Sequence, residues 1–467
     1  MRATKIICTI GPKSSDSQVL KKLVLGGMDA ARFNLSFASL EDHFKTLNTI
    51  KKISKKSVAS LFDLRGPKIR VSKIEGEIVL ESGQEFVLTT KPVLGSTNEV
   101  YVNYPKLAKE VKAGQRILIN EGQVVLKVFS KDGLRLYCKV ITGGTLLSGK
   151  GVNLPGASLK APALTAEDKK DIEEIVKNNI DWVGMSFVRS AKDVLSLKRL
   201  INKLGGKTLV MAKIEKREAL ENLDAIIDAA DGVMVARGDL GIELPIEEVP
   251  IIQKTIVKKC QRLGKPVVIA TQMLESMVSS ARPTRAEASD VANAIFDETD
   301  AVLLSDETAI GAYPVESLKT MEKIIKKTEA NIAYDKKLKS KVRWLYDNNV
   351  TDAISLSSAE LAVDIGARAI VTSTQSGNTA RAISRFRPPV RIIAVTPQQS
   401  TLGQLQLSWG VTPIKVEASK DINDMFSIAT KATLSSKCAR KGDKLIITAG
   451  AMVNVAGTTN LIKVQQV

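Results

Sequence analysis

A lysine and two carboxylates stand at the ends of two neighbouring predicted strands. Lys213 and Glu215 close one short apolar run, and Asp239 follows a second one, Gly232–Ala236. The segment between the two runs, 217–229, has apolar residues at helical spacing and predicts one helix, so the stretch predicts a strand–helix–strand unit. Because parallel strands end at one edge of a sheet and alternate strand residues point the same way, we expect these three side chains to meet.

These residue types suit a hard cation and a phosphoryl group. Mg²⁺ binds oxygen ligands and usually takes one or two carboxylates together with substrate oxygens. A lysine beside such an ion can stabilise a transferring phosphoryl group or an enolate. The alternative is that Lys213 and Glu215 form an ordinary ion pair at a strand end, and this segment alone leaves both interpretations open.

The composition indicates a globular chain of several domains with a basic surface. The 467 residues are too many for one core, and 44% of them are hydrophobic. The 68 lysines and arginines and the 50 aspartates and glutamates give a net charge of +18. Such a charge favours anionic partners, either small phosphorylated substrates or nucleic acid. The sequence has no helix-turn-helix or zinc-finger pattern, so we expect no nucleic-acid partner.

Cysteine and histidine usage argues against several kinds of site. The four cysteines are scattered without a Cys-x-x-Cys pair, so we expect neither a zinc site nor a disulfide framework. His43 is the only histidine, and we expect it on the surface of a helix, which argues against Ser-His-Asp catalysis. The N-terminus has no signal-peptide layout, and no apolar run approaches the length of a membrane span. We therefore expect a cytoplasmic protein without membrane contact.

Strand and helix patterns alternate through most of the chain, with one interruption. Three strands with their helices precede the interruption and five follow it, and these eight units predict a (β/α)8 (TIM) barrel. The interrupting segment has short, partly alternating strand patterns and predicts a small inserted β-barrel lid domain. After a polar linker, 336–349, the pattern predicts an open α/β domain with a mostly parallel sheet. The predicted domain bounds are 1–68 and 158–335 for the barrel, 69–157 for the lid and 336–467 for the C-terminal domain.

The predicted carboxyl ends of the barrel strands collect charged and hydroxyl residues on one rim. In (β/α)8 barrels this rim carries the active site. Cations, carboxylates and hydroxyls gathered there are what a metal-assisted phosphoryl transfer needs. In strand order, the rim residues are Arg32, Asn34, Asp63, Ser186, Lys213, Glu215, Asp239, Thr271 and Ser305.

Several motifs at these strand ends make the sequence closely resemble the pyruvate kinase family, over essentially the whole chain. Several motifs in this order, placed at predicted strand ends, are more specific evidence for the family than any single motif. The family has a barrel, a β lid and a C-terminal α/β domain. The motifs are TKIICTIGP at 4–12, GVNLPG at 151–156, AKIE at 212–215, RGDLG at 237–241, ATQML at 270–274 and RPTRAE at 282–287.

The resemblance implies the glycolytic reaction in which phosphoenolpyruvate and ADP give pyruvate and ATP. It implies that Glu215 and Asp239 hold Mg²⁺ or Mn²⁺. It also implies that Lys213 stabilises the transferring phosphoryl group and the enolate, and that Arg32 binds phosphate. It further implies that Ser186 is a substrate-binding residue.

The remaining site residues are also carried over from the resemblance. The N–H groups at Gly238 and Asp239 would bind the substrate carboxylate. Thr271 and Ser305 would line the route by which the enolate is protonated, and Asp306 stands where the family usually has glycine. The positions on the nucleotide side are Asn34, Arg70, Glu121 and Lys150, and Phe37 stands there where the family often has histidine.

Two departures from the family concern potassium. Many pyruvate kinases need a monovalent cation, and the resemblance places its ligands at Asn34, Ser36, Asp63 and the Leu64 carbonyl. Potassium-dependent members carry glutamate where this chain has Lys68, and usually threonine where it has Leu64. Because the two departures occur together, we expect the Lys68 ammonium to replace the ion and expect no requirement for K⁺. The alternative is that Lys68 is solvated and only adds to the basic surface.

The C-terminal domain contains a candidate effector loop. In the family this region binds phosphorylated allosteric regulators, and another loop, Thr458 to Asn460, offers further hydroxyl and N–H groups. An ordinary glycine-containing turn is an equally good interpretation of the pattern. The resemblance also suggests a homotetramer. The loop residues are Thr374, Ser376, Gly377, Asn378 and Thr379.

Two other functions remain as alternatives at this point. One is a carbon–carbon lyase or mutase on the same barrel, which would share Mg²⁺ and an enolate but would not need the lid or Lys150. The other is a basic nucleic-acid-binding protein, whose affinity would depend strongly on salt.

Overall fold

Eight parallel strands close into a barrel in this computed structural model. The model describes residues 2–54, 57–157, 162–345, 349–452, 455, 457 and 459–467, without the side chains of 340–345. The barrel strands are β1 (Lys5–Thr9), β2 (Ala30–Asn34), β3 (Ala59–Asp63), β12 (Trp182–Met185), β13 (Leu209–Ile214), β14 (Gly232–Ala236), β15 (Val267–Ala270) and β16 (Ala301–Leu304). They follow one another around the barrel in this order, and β16 pairs with β1. The prediction of a (β/α)8 barrel is confirmed.

The barrel closes across the inserted segment because β3 pairs directly with β12. Asp63 at the end of β3 aligns with Gly184 of β12 on one side and with Asn34 of β2 on the other. All residues of β3 and β14 are buried, as expected for barrel strands that helices cover. This register brings strand ends that are far apart in sequence to one rim.

Amphipathic helices surround the barrel. Thr165 begins one of them with a capping box, in which its hydroxyl and the Asp168 carboxylate each bind the other residue's N–H group. No helix in the described ranges combines the length and the apolarity needed to cross a bilayer. The helices are α1 (Ser17–Leu25), α2 (Leu40–Ile53), α4 (Ala166–Lys177), α5 (Ala191–Lys203), α6 (Arg217–Glu221), α7 (Leu223–Ala229), α8 (Arg237–Glu243), α9 (Val249–Arg262), α10 (Arg285–Phe296), α11 (Asp306–Ala309) and α12 (Pro314–Glu329).

The lid strands form a six-stranded and a two-stranded sheet around one apolar core. Phe86, Leu126 and Leu136 belong to this core. Buried and exposed residues alternate along Arg135–Thr142, as expected for a sheet with one solvated face. The elements are β4 (Ile78–Leu80), β5 (Glu85–Thr89), β6 (Glu99–Tyr101), α3 (Leu107–Glu110), β7 (Arg116–Ile119), β8 (Val124–Asp132), β9 (Arg135–Thr142), β10 (Gly144–Leu146) and β11 (Val152–Asn153).

The C-terminal domain has a five-stranded sheet with helices packed on it. Four strands are parallel, and only the last strand is antiparallel to its neighbour. The prediction of an open, mostly parallel sheet is confirmed. The elements are α14 (Val350–Asp364), β17 (Ala369–Ser373), α15 (Asn378–Ser384), β18 (Arg391–Thr396), α16 (Gln399–Gln404), β19 (Val411–Lys415), α17 (Ile422–Ser435), β20 (Lys444–Gly450) and β21 (Thr459–Gln466).

Two predicted segments differ from the structure. The predicted single helix over 217–229 is broken at Asn222, whose side-chain amide donates to the Arg189 carbonyl and joins the break to a neighbouring loop. The predicted linker over 336–349 is wrong for most of its length, because α13 runs over Tyr334–Leu345. Apolar residues at helical spacing, Tyr334, Leu338 and Leu345, are present in this helix, but the charged residues between them mask the pattern.

The prediction that His43 lies on the surface is also wrong. His43 is 7% exposed, and its ring packs edge-on against Phe33 with the ring centroids 5.4 Å apart. Its Nε2 atom lies 3.2 Å from the Asn34 carbonyl. The polar edge of the ring thus finds a partner while its apolar body joins the core, and burial is the main reason why its pKa is lowered.

Candidate active site

A buried carboxylate, Asp63, lies at the centre of the rim. Its Oδ2 atom accepts a hydrogen bond from Arg32 Nε at 2.8 Å, lies 2.7 Å from Arg32 Nη2, and lies 3.4 Å from Lys213 Nζ. Burial alone would raise the pKa of the Asp63 carboxyl. Arg32 and Lys213 outweigh burial and hold that pKa below its usual value. One carboxylate therefore orients both cations.

The Asp63 carboxylate fits against the barrel wall because residue 184 is glycine. A Cβ atom at Gly184 would lie 2.0 Å from Asp63 Oδ1, far inside contact distance. Oδ1 is buried and makes no hydrogen bond within the described part of the chain. The carboxylate is therefore held through Oδ2 alone, and any atom added at Gly184 would push it away from its two cations.

Lys213 is buried among polar groups. Its Nζ atom lies 2.8 Å from Glu215 Oε1 and donates to Ser186 Oγ at 2.9 Å, and the Ser186 hydroxyl donates in turn to the Leu64 carbonyl. Burial would lower the pKa of Lys213, but Asp63 and Glu215 raise it above its ordinary value. A charged amine fixed in a dry site is suited to stabilising an anion that develops during a reaction.

Glu215 and Asp239 form a pair of neighbouring carboxylates. Glu215 Oε2 accepts the Phe187 N–H at 2.6 Å. Burial raises the pKa of Glu215 most, Lys213 counteracts it, and the Asp239 carboxylate raises it further. A divalent cation between the two carboxylates would remove this repulsion, so the residues present fit Mg²⁺. Nowhere in the described ranges do three or more candidate metal-binding side chains cluster, so such an ion would take its other ligands from substrate or water.

Thr271 and Gly238 are joined at the end of β15. The Gly238 N–H donates to Thr271 Oγ1 at 2.7 Å, and the Thr271 hydroxyl donates to the Ala270 carbonyl at 2.6 Å. Thr271 has φ 69°, a left-handed conformation that is costly for a β-branched residue. The Gly238 N–H, which we expected to bind the substrate carboxylate, is thus occupied by the Thr271 hydroxyl. A carboxylate arriving there would have to displace that hydroxyl.

Ser305 and its neighbours complete the rim. The Ser305 N–H donates to Glu307 Oε2 at 2.6 Å, whereas its hydroxyl is buried and has no partner among the described residues. Glu307 also accepts the Leu274 N–H at 2.9 Å, and burial raises its pKa. Asp306 is exposed.

Most of the residues expected on the nucleotide side lie around a cavity of about 260 Å³ between the lid and the barrel. Arg70 is fixed there, because its Nη1 atom donates to the Gly149 carbonyl at 2.8 Å. Phe37 is 81% exposed at the edge of this cavity. Asn34 does not line it. The predicted residues that do are Phe37, Lys68, Arg70, Glu121, Lys150 and Asp239.

Comparison with known families identifies the chain that carries this rim. Residues 1–318 match the family "Pyruvate kinase, barrel domain", and residues 352–465 match "Pyruvate kinase, alpha/beta domain". The chain belongs to the pyruvate kinase family. A pyruvate kinase of Clostridium acetobutylicum is 42% identical over 473 residues, with the whole of both chains covered. A pyruvate kinase of Staphylococcus epidermidis is also 42% identical over 473 residues, covering this whole chain and 81% of that protein.

A solved structure agrees with these matches. The crystal structure of a pyruvate kinase from Cryptosporidium parvum superposes with a TM-score of 0.93 and 36% sequence identity. The alignment covers 100% of this chain and 96% of that one. The barrel, lid and C-terminal sheet of this chain are therefore the pyruvate kinase architecture.

The positions expected to surround a monovalent cation lie beside Asp63. The Asn34 side chain accepts the Ser36 N–H at 3.0 Å, and the Leu64 carbonyl accepts the Ser186 hydroxyl at 2.9 Å. Lys68 is exposed and faces the cavity between lid and barrel. The cations that contact Asp63 are Arg32 and Lys213, rather than Lys68.

The candidate effector loop is held by its own hydroxyl groups. Thr374 Oγ1 accepts the Gly377 N–H at 2.9 Å, and Gly377 has φ 83°, which glycine adopts without strain. The hydroxyls of Thr379 and Thr459 are hydrogen-bonded to each other at 2.6 Å. Asn378 Oδ1 accepts a hydrogen bond from Arg381, and Thr458 lies outside the described residues.

Three residues of the rim have roles that were not predicted from the sequence. Gly184 makes room for the Asp63 carboxylate, and the available signal was a glycine inside a buried strand. Thr9 accepts a hydrogen bond from Arg32 Nη1 at 3.0 Å and lies within one of the family motifs. Glu307 fixes the backbone at Ser305 and Leu274, and it is the third residue after the eighth strand.

Replacing Gly184 tests the geometry of the rim. Gly184→Ala would push the Asp63 carboxylate aside and move Arg32 and Lys213 with it, because the new Cβ would lie 2.0 Å from Oδ1. A displacement of about 1 Å at a reacting group can cost about 10²-fold in rate. We expect kcat for ATP formation to fall by about that factor while the protein still melts cooperatively.

The matched control is Gly144→Ala in the lid, where the nearest atom to a new Cβ would be 3.3 Å away. It should keep kcat within a few-fold of the wild type. If Gly184→Ala folds and keeps the wild-type kcat, then the position of the Asp63 carboxylate does not depend on the space at residue 184.

Proposed function

We propose that this chain transfers the phosphoryl group of phosphoenolpyruvate to ADP, giving pyruvate and ATP, and that the rim around Asp63 carries out the transfer. One observation carries the assignment of the site. Lys213 is buried with its charge retained, 3.4 Å from Asp63 and 2.8 Å from Glu215, on the active-site edge of a barrel of this family.

Arg32 and Lys213 act on the transferring phosphoryl group. Asp63 fixes the two side chains relative to each other, so their charges are in place before the reaction and little reorganisation is needed. When the bond between phosphorus and the enol oxygen breaks, Lys213 stabilises the enolate that remains. The Ser186 hydroxyl accepts a hydrogen bond from the Lys213 ammonium and helps to hold it in place.

Glu215 and Asp239 would hold the divalent ion, Mg²⁺ or Mn²⁺. The fit rests on the repulsion between these two carboxylates, which contributes to the raised pKa of Glu215. When bound, such an ion supplies positive charge to the phosphoryl and substrate oxygens. The remaining residues of the chain bind and orient the substrates.

Protonation of the enolate takes place near Thr271 and Ser305. The strained Thr271 backbone and the hydrogen bond from the Gly238 N–H fix the Thr271 hydroxyl at the rim. The Ser305 hydroxyl is buried at the end of the neighbouring strand and can take part in the same proton route. Asp306 is exposed and acts only through its charge.

The ADP side lies between the barrel and the lid. Arg70 and Lys150 supply positive charge for the nucleotide phosphates, and Glu121 and Asn34 are the other nucleotide-side positions. The cavity that Arg70, Glu121 and Lys150 line also reaches Asp239. This arrangement favours phosphoryl transfer over a lyase or mutase reaction, which would have no use for a phosphate-binding lid.

The remaining proposals concern assembly, regulation and location. By its family, the chain is expected to form a homotetramer and to respond to a phosphorylated effector at the loop from Thr374 to Thr379. The four cysteines are free and buried, which suits the reducing cytoplasm.

A test of the proposed catalytic role concerns Lys213. Lys213→Met removes the charge and keeps much of the side-chain volume, so it should lower the rate of ATP formation by about 10³-fold or more. The measurement is ATP production from phosphoenolpyruvate, ADP and Mg²⁺. The control is Lys198→Met, which removes another partly buried barrel lysine, one that pairs with Asp231, and it should retain normal turnover.

Three results would each contradict this assignment. Near-normal turnover of Lys213→Met would remove Lys213 from the mechanism. If the wild type consumed phosphoenolpyruvate without forming ATP, the lyase or mutase alternative would be favoured. Tight, salt-dependent binding of duplex DNA without either activity would favour the nucleic-acid alternative.

A further prediction concerns the requirement for potassium. We propose that the Lys68 ammonium reaches the monovalent position when the substrate site closes. Two positive charges about 4 Å apart repel by about 4 kcal/mol at an effective dielectric constant of about 20, which would empty a weak site. Activity should therefore need Mg²⁺ or Mn²⁺ without added K⁺, and Lys68→Glu should create a K⁺ requirement.

The assay uses a buffer free of sodium and potassium at constant ionic strength. Lys91→Glu is the matched control, because Lys91 is an exposed lysine outside the substrate rim. It should create no K⁺ requirement. A many-fold activation of the wild type by KCl would show that Lys68 does not replace the ion.

A further inference from the structure

Two consecutive residues directly after β15 have left-handed backbones. Thr271 has φ 69° and Gln272 has φ 53°. Left-handed conformations are costly for residues with a side chain, and most costly for a β-branched residue such as threonine. Such strain persists only where neighbouring groups hold the backbone in place. The groups that hold this turn therefore determine where the Thr271 hydroxyl lies.

Arg237 is the side chain that binds this turn. Its Nη2 atom donates to the Thr271 carbonyl at 2.8 Å and to the Gln272 carbonyl at 3.4 Å. The carbonyls of both left-handed residues thus converge on one nitrogen. The Arg237 side chain is only 10% exposed, so water competes little for these hydrogen bonds. Hydrogen bonds from a charged donor are also stronger than those between neutral groups.

The Asp290 carboxylate of α10 holds Arg237 from another side. Arg237 Nη1 lies 2.8 Å from Asp290 Oδ1 and 2.7 Å from Asp290 Oδ2. It also donates to the Oε1 atom of Gln253, a residue of α9, at 3.4 Å. The guanidinium group is therefore fixed between two helices and the turn after β15. A lysine has no planar fork and could not make these contacts together.

Residue 271 is held at two points by two adjacent residues. Arg237 binds the Thr271 carbonyl, and the Gly238 N–H donates to the Thr271 hydroxyl at 2.7 Å. Arg237 and Gly238 begin α8 directly after β14, so both hydrogen bonds fix the end of β15 relative to the end of β14. The position of the Thr271 hydroxyl is thereby tied to the short helix that carries Asp239.

We propose that Arg237 is a positioning residue, which places the Thr271 hydroxyl for protonation of the enolate by holding the left-handed turn. This role rests on the proposed function, in which the proton reaches the enolate carbon near Thr271. The proton forms the third C–H bond of the pyruvate methyl group, and Arg237 itself stays charged throughout. Without Arg237 the turn would relax toward ordinary backbone angles, and the hydroxyl would leave its place at the rim.

A purely stabilising role for Arg237 is the alternative. Removing one partner of a buried ion pair destabilises a fold, so a lower melting temperature is expected under either role. Only the positioning role predicts a loss of proton transfer that depends on the Thr271 hydroxyl. The test must therefore follow proton transfer itself.

The measurement is the exchange of the pyruvate methyl protons with D₂O, followed by NMR with Mg²⁺ and ATP present. This exchange runs the protonation step backwards, so it requires no net formation of ATP. We expect Arg237→Met to lower the exchange rate by about tenfold or more, because a displacement of about 1 Å at a reacting group can cost about 10²-fold. Arg237→Lys keeps the charge and should lose less.

A matched control is Arg2→Met. The Arg2 side chain is also 10% exposed, lies 2.7 Å from the Asp29 carboxylate and donates to the Gly27 carbonyl at 2.6 Å. However, Arg2 precedes β1 and therefore lies at the end of the barrel opposite to the rim. Arg2→Met should exchange the methyl protons at the wild-type rate.

A double-mutant cycle with Thr271 separates positioning from stability. Thr271→Ala removes the hydroxyl that Arg237 is proposed to place. In that background, Arg237→Met should cause little further loss of the residual exchange or of the residual kcat for ATP formation. Losses that multiply would show that Arg237 does not act through Thr271.

Two other results would overturn the positioning role alone. These are equal exchange by the wild type and a folded Arg237→Met protein, or an equal loss in Arg2→Met. If Arg237→Met does not fold, Arg237→Lys and Asp290→Asn decide, since unchanged exchange in both would show that neither the fork nor its partner places Thr271. A wild type that exchanges no methyl protons and forms no ATP would instead overturn the proposed function, and the positioning role with it.

Discussion

The burial of the Asp63 carboxylate between two cations is the interaction on which the rest of the rim depends. An ionised group inside a barrel is stable only when it is paired, and removing one partner of a buried pair typically costs about 3–5 kcal/mol. Arg32 and Lys213 both bind the same oxygen of Asp63. The barrel thereby fixes two positive charges at the place where a phosphoryl group and an enolate need them.

The fold produces this interaction through strand pairing across the inserted lid. Asp63 ends β3, and Gly184 of β12 lies beside it, although the whole lid separates the two in sequence. The same insertion brings Arg70 and Lys150 over the rim. Substrate chemistry and nucleotide binding are thus joined by one topological feature, the closure of the barrel around an inserted domain.

Particular residues show how far the sequence predicts this arrangement. Lys213 and Glu215 were placed together from the period of a strand, and they do lie 2.8 Å apart. The contacts between side chains of paired strands cannot be read from the sequence, so the space at Gly184 and the role of Asp63 in holding Arg32 were not predicted. The segment of α13 was predicted to be a linker because its many charged residues mask the apolar residues that recur at helical spacing.

The dependence of kcat on pH in Asp63→Asn tests the central claim most directly. Asp63 raises the pKa of Lys213 against the effect of burial, so without this charge the pKa of Lys213 should fall. The account predicts that the variant loses kcat on the alkaline side at a lower pH than the wild type does, in addition to a lower maximal kcat. An unchanged alkaline limb with near-normal kcat would contradict the account.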